Sequence, residues 1–306
     1  MKEAEGRRAW LVACTFLCAT RHAQRATFLP KKIYFQTNKK GVKMDLGLAR
    51  KTALVCGASQ GLGFAAAKEL SREGCTVIIC SRDKNRIQRA AKKIETETGG
   101  KVLANPVDLS KTDQVVQFAK LVTSEFETID ILVNNTGGPP AGFFMDFNES
   151  DWNRAFQGTL MSTVTLTKQL LPLMVQHNWG RIINLQSIAV KQPIDDLLLS
   201  NSIRMAVVGW AKTLANQYAK HNITINTIAT GYTLTERLSD LAKKRAENEN
   251  VSVETIMERW KAKIPMQRLA QPEEIAWLVA FLASEKAGYI TGTTIPVDGG
   301  VVQNML

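Results

Sequence analysis

Thr52-Ala-Leu-Val-Cys-Gly-Ala-Ser-Gln-Gly-Leu-Gly-Phe64 decides the fold. A short apolar run passes into three glycines, Gly57, Gly61 and Gly63, and then into Phe64-Ala-Ala-Ala-Lys-Glu-Leu70, which is built of helix formers. A strand, a glycine-rich turn and a helix N-terminus in this order form an anion site. Free N–H groups and the positive end of the helix dipole face the anion, and the glycines let backbone and ligand approach closely. In a strand–turn–helix context the pattern predicts binding of a dinucleotide through its pyrophosphate.

Downstream of this stretch, strands and helices alternate. Thr76–Cys80, Val102–Asn105, Ile129–Asn134, Gly180–Gln186, Thr224–Ile228 and Thr294–Val297 read as further strands. Between them, 83–98, 113–127, 151–177, 200–220 and 272–283 read as helices, and 234–264 is helical and strongly charged with no strand in it. Apolar strands alternating with helices predict one α/β domain of the Rossmann type. It would be a single doubly wound parallel sheet with helices on both faces and ligands at the carboxyl ends of the strands.

The formal net charge of +11 is unevenly placed. Residues 1–43 hold ten Lys/Arg and two acids, so 29 Lys/Arg and 26 acids remain for the rest of the chain. Basicity thus belongs to the leader, and a nucleic-acid role for the domain is not expected. The apolar run Ala9–Ala19 is too short to span a bilayer as a helix; a secretory h-region or a transit peptide that targets the chain is the alternative reading of the leader, which Glu3 and Glu5 fit poorly. The leader is expected to be disordered or not native, with the domain starting at Met44 and running to residue 306. Five cysteines form no framework and three histidines show no metal-ligand spacing, so a reducing, cytoplasmic setting and no metal are expected. No membrane partner is expected either.

Four segments carry a resemblance: Cys56–Gly63, Asn134-Asn-Thr-Gly137, Ile264–Ala276 and Tyr289-Ile-Thr-Gly292 with Val297-Asp-Gly-Gly300. Together they resemble the short-chain dehydrogenase/reductase family, and within it relatives of bacterial 3-oxoacyl-(acyl carrier protein) reductase, over about residues 48–302. The resemblance implies cofactor contacts at Gly57, Ser59, Gln60, Gly61, Leu62 and Gly63 in the pyrophosphate turn. It implies further contacts at Asp108 and Leu109 beside the adenine, at Asn135 and Gly137 near the ribose, and at Thr235 near the nicotinamide carboxamide. Ser81 and Arg82, where an acid would bind a ribose 2′-hydroxyl, offer a hydroxyl and a guanidinium instead. Arg can hold a 2′-phosphate bidentately, so NADP(H) is expected over NAD(H).

The family's tetrad of Asn, Ser, Tyr and Lys survives here only at Ser187. The resemblance aligns its Tyr with Ser200, its Lys with Arg204 and its Asn with Thr159. An alkyl hydroxyl is a poor proton donor and a guanidinium is no proton relay. Arg204 retains a cation that can bind the ribose diol or an anionic substrate group. A replacement acid near Ser187 has four sequence-near candidates, Lys191, Asp195, Asp196 and Tyr232, with Tyr232 foremost. Asn135-Thr-Gly-Gly-Pro-Pro-Ala-Gly142 reads either as a stiff wall over the nicotinamide or as a rigid turn. Residues of about 231–270 correspond to the family's variable substrate lid. Two functions follow: an NADP(H)-dependent oxidoreductase acting on a small carbonyl or alcohol substrate, or a dinucleotide-binding protein that has lost catalysis and serves as sensor or oligomer partner. A homodimer or homotetramer is implied by the resemblance alone.

Overall fold

The computed structural model describes residues 44–304; the expectations for the leader lie outside the described residues. Seven parallel strands form one sheet in the order β3-β2-β1-β4-β5-β6-β7. They are β1 (Thr52–Cys56), β2 (Thr76–Ser81), β3 (Val102–Pro106), β4 (Ile131–Asn134), β5 (Gly180–Ser187), β6 (Ile223–Thr230) and β7 (Thr294–Val297). Sheet and doubly wound class are as the sequence predicts. The order reverses between β1 and β4, and the crevice at that switch point is where such folds bind ligands.

Alternation within the strands explains the layers. Ala53 and Val55 of β1, with Val77 and Ile79 of β2, point into a core capped by α1 (Gly61–Arg72), α2 (Lys84–Thr98) and α9 (Pro272–Ala283). Leu54, Cys56, Ile78 and Cys80 point the other way, onto α3 (Thr112–Glu125), α5 (Ser162–Gln176) and α6 (Leu198–Tyr218). Both faces are buried, so these strands read as continuous apolar runs. Each fully buried aliphatic side chain contributes about 1.5–3 kcal/mol. Local signals set the helix ends: Asp83 caps α2 by accepting from the Arg86 N–H, and Gly99 ends it in the left-handed region at φ 73°.

Two expected helices are subdivided. The run over 151–177 consists of α4 (Glu149–Ala155), a π-helical segment (Phe156–Met161) and α5. The hydroxyls of Ser162 and Thr163 donate to the Thr159 carbonyl, giving it donor partners within this wider turn. The charged stretch 234–264 is two helices, α7 (Glu236–Glu249) and α8 (Val253–Lys263), separated where Asn250 adopts φ 52°. Leu238, Ala242, Ile256 and Trp260 pack between them as a small separate core. The charge is therefore the solvated side of an amphipathic pair. Among the described residues no helix is long and apolar enough to cross a membrane, and no cluster suits a metal ion.

At the amino ends of the strands, Arg181 is 2% exposed. Its Nη1 donates to the carbonyls of Gly180 (2.8 Å) and Asn222 (2.9 Å), and its Nε donates to that of Ser284 (3.3 Å). The guanidinium also lies 4.3 Å from the Trp179 ring, against which Lys51 is placed at 3.8 Å. Removing it takes a donor from the carbonyls of Gly180, Asn222 and Ser284, of which Asn222 keeps the Gly180 N–H at 3.4 Å. Arg181→Ala is expected to cost about 3 kcal/mol, read as a lower urea midpoint with an unchanged slope; an unchanged midpoint would show that these contacts contribute nothing net.

Candidate active site

The glycine turn closes by omission of side chains. A Cβ on Gly63 would stand 2.4 Å from the Gly57 carbonyl oxygen, and one on Gly57, at φ 56°, would stand 2.6 Å from that of Asn135. The Asn135 side-chain amide donates to the carbonyls of Cys56 (3.3 Å) and Gly57 (3.1 Å), tying the end of β4 to the turn after β1. One strand deeper, the buried Asn134 amide donates to Asn184 Oδ1 at 2.9 Å, linking β4 to β5.

A cleft of about 1450 Å³ opens on this turn. Gly57, Ser59, Gln60, Gly61, Leu62, Ser81, Arg82, Asp108, Leu109, Asn135, Gly137 and Thr235 line it. Gly63 does not; it is the contact that lets the turn close. Asp108 is held in an Asx turn, accepting from the N–H (3.0 Å) and Oγ (2.8 Å) of Ser110. Thr159, brought inward by the π-helical segment, also lines the cleft. Arg86 was not singled out from the sequence. In the first turn of α2, its Nη1 reaches Gln60 Oε1 at 2.9 Å and pairs with Glu236 at 3.7 Å.

A smaller cavity of about 170 Å³ adjoins the cleft, and Leu62, Asn135, Thr136, Thr235 and Arg237 line both. Ser187, Ser200, Arg204 and Tyr232 all line the smaller one, so β5, α6 and the loop after β6 bring the four together. Arg204 lines this cavity and not the long cleft. Its Nε donates to Ser200 Oγ at 3.1 Å and its Nη1 to Gln186 Oε1 at 2.8 Å. The first bond is a one-turn i,i+4 contact along α6. The second crosses to β5 and uses a glutamine that sequence reasoning passed over. Burial, with the like charge of Arg237 adding to it, brings the Arg204 pKa down to about 10. The guanidinium is still protonated at neutral pH.

Of the four candidate acids, Tyr232 alone lines the cavity. Its ring stacks on Trp260 at 5.3 Å, and burial raises its phenol above the ordinary value, against the opposing pull of Arg245. Asp196 is committed elsewhere: Arg245 Nε donates to its Oδ2 at 2.8 Å, clamping α7 to the loop before α6. Lys191 and Asp195 line neither cavity. α7 is fastened a second way. Arg237 donates to the carbonyls of Gly138 (3.2 Å) and Pro139 (3.0 Å), and Lys244 donates to that of Ala141 (3.1 Å). Gly138, Pro139 and Pro140 also line the long cleft, so the proline-rich loop is both a wall and an anchor.

This architecture recurs in known proteins. The chain is 34% identical over 267 residues to the uncharacterized oxidoreductase YvrD of Bacillus subtilis, covering 86% of this chain and all of that one. It is 31% identical to the 3-oxoacyl-(acyl carrier protein) reductase FabG of Aquifex aeolicus, over 84% of this chain and 100% of the relative. The crystal structure of L-sorbose reductase from Gluconobacter frateurii, complexed with NADPH and L-sorbose, superposes with a TM-score of 0.82 at 31% identity. The match covers 86% of this chain and 100% of that one. Residues 57–302 match the family described as enoyl-(acyl carrier protein) reductase. With a seven-stranded parallel sheet, a glycine turn at its switch point and these relatives over nearly the whole described domain, the chain belongs to the short-chain dehydrogenase/reductase family of oxidoreductases.

Proposed function

We propose that this oxidoreductase is NADP(H)-dependent and interconverts a small carbonyl compound and its alcohol. One observation carries the reading. The long cleft and the smaller cavity meet at shared walls, and the smaller one gathers Ser187, Ser200, Arg204 and Tyr232. The Cβ-free turn and the length of lining from Asp108 to Thr235 fit a dinucleotide, whose nicotinamide, when bound, exchanges hydride.

Arg82 and Arg86 at the mouth of the second strand favour a 2′-phosphate. The nearby carboxylate, Asp83, is spent as the cap of α2, accepting from the Arg86 N–H at 2.9 Å, and that bond holds its pKa below the ordinary value. NADPH at 100 times its dissociation constant is expected to stabilise the fold by about 2.7 kcal/mol in a thermal-shift titration. NADH should need a higher concentration for the same shift, and Arg82→Ser should narrow the gap. Equal potency of NADH and NADPH would overturn the NADP(H) assignment.

The Ser187 hydroxyl accepts from the Ala189 N–H at 3.2 Å, which leaves its proton free to donate to a substrate oxygen. Ser200 accepts from Arg204, so its proton is free as well, and the adjacent charge strengthens it as a donor. We assign proton delivery to Tyr232, a phenol kept protonated by burial. Removing a hydroxyl that stabilises developing charge costs about 10²–10³ in kcat, which is the expected effect of Ser187→Ala. Tyr232→Phe should lower kcat by about 10²-fold or more while the NADPH thermal shift persists. If Tyr232→Phe leaves turnover intact and Ser200→Ala abolishes it, the donor is Ser200.

The sign of the pH dependence follows from the phenol. Only the protonated form donates, and its pKa lies above the ordinary value near 10. The reductive rate attributable to Tyr232 is therefore expected to hold across neutral pH and to fall only as pH rises past about 10. A loss beginning near neutrality would exclude Tyr232. Cofactor binding without turnover across a carbonyl screen would instead favour the non-catalytic binding role. Exposed Phe156, Met205 and Trp277 offer apolar surface for the homodimer or homotetramer that belongs to the same proposal. The free thiols Cys56, Cys75 and Cys80 suit a cytoplasmic setting.

A further inference from the structure

The smaller cavity has an unbalanced charge. Arg204 and Arg237 both line it, and no Asp, Glu or Lys does among the described residues. Arg204 is 7% exposed, and both of its acceptors, Gln186 and Ser200, are neutral. A guanidinium carries five N–H donors, so the remaining three have no acceptor among the described residues. Arg237 is likewise held by carbonyl oxygens of the proline-rich loop, and Asp240 is the acid whose charge it feels. A buried cation without a counter-ion is costly, and the cost is recovered when an anion arrives.

One part of the wall is apolar, supplied by Ile188, Ile194, Leu197, Leu238 and Leu241, and lies beside the hydroxyl groups of Ser187, Ser200 and Tyr232. A protein cavity of about 150 Å³ holds benzene, so a volume of about 170 Å³ suits a short chain rather than a sugar or a steroid. Because Arg204 faces this cavity and not the long cleft, its free donors are placed for substrate rather than for the dinucleotide.

Resting on the oxidoreductase reading above, the geometry points to one substrate class: a small oxo or hydroxy acid. Its carboxylate is held by Arg204, with Arg237 as a second cation, and its short hydrocarbon chain lies against the leucine and isoleucine wall. The planar fork of Arg204 matches a carboxylate, which a rotating point charge would orient less well.

The test is calorimetric titration of the full chain, saturated with NADP+, using pentanoate, pentanamide and pentylamine as non-reacting probes of equal length. Pentanoate is expected to bind about tenfold or more tightly than pentanamide, and pentylamine to show no binding. Arg204→Met should bring the pentanoate/pentanamide ratio to about one. Arg237→Gln, a lid-surface change that leaves Gln186 and Ser200 paired, should reduce the ratio without abolishing it. Pentanamide binding as tightly as pentanoate to the unaltered protein would overturn the assignment, as would inorganic phosphate binding more tightly than pentanoate. NADPH stabilisation with a probe ratio of one removes the carboxylate assignment alone. Absence of any NADPH or NADH shift removes the oxidoreductase reading, and the probe ratio on the unliganded protein still decides the charge preference of the cavity.

Discussion

A missing atom governs the site. With a Cβ at Gly63 only 2.4 Å from the Gly57 carbonyl, the first helix could not begin where it does, and the Asn135 amide could not reach the same carbonyl. That single approach sets the spacing between β1, β4 and α1, and hence the width of the crevice at the switch point. The start of α7 is set beside the same turn. The Thr235 methyl lies 3.4 Å from where a Gly61 Cβ would be, so the start of α7 rests on the turn itself. Sheet, first helix and the start of α7 thus meet at the bare backbone of this turn.

Where the resemblance aligns the family's Tyr and Lys with Ser200 and Arg204, the chemistry that the side chains offer is different. A lysine one turn from a tyrosine lowers the phenol pKa and can take part in proton traffic. A guanidinium does neither, because it stays charged. What it adds is a planar set of donors, and the chain spends two of them on Ser200 and Gln186 to fix its orientation. Tyr232 stands in the loop after β6, where its ring stacks on Trp260; under the proposal above it delivers the proton, while the charge stays on α6.

The sheet was legible because doubly buried strands such as Val77–Cys80 are continuous apolar runs bounded by glycine or charge. The glycine turn was legible because its spacing follows local geometry, whereas Asp108, Asn135 and Thr235 came from the family resemblance alone; all three line the cleft. The misses are non-local. Gln186 matters only because residue 204 is arginine, and Arg237 only because the proline-rich loop, 98 residues away, turns its carbonyls toward it. Asp196 looked like an available carboxylate because its partner, Arg245, lies 49 residues downstream. The π-helical segment has no strong compositional mark. Its reason is the inward turn of Thr159, which periodicity over 151–177 smooths into an ordinary helix.

At the opposite end of the sheet, Arg181 gathers carbonyls from three places in the chain, the farthest 103 residues later at Ser284. During synthesis the guanidinium leaves the ribosome long before that last acceptor exists. At about 5–20 residues per second the interval is roughly 5–20 s. Two of the guanidinium's acceptors, Gly180 and Asn222, and the Trp179 ring lie at the starts of β5 and β6, so the Ser284 carbonyl is the part of this shell that waits for the end of the chain.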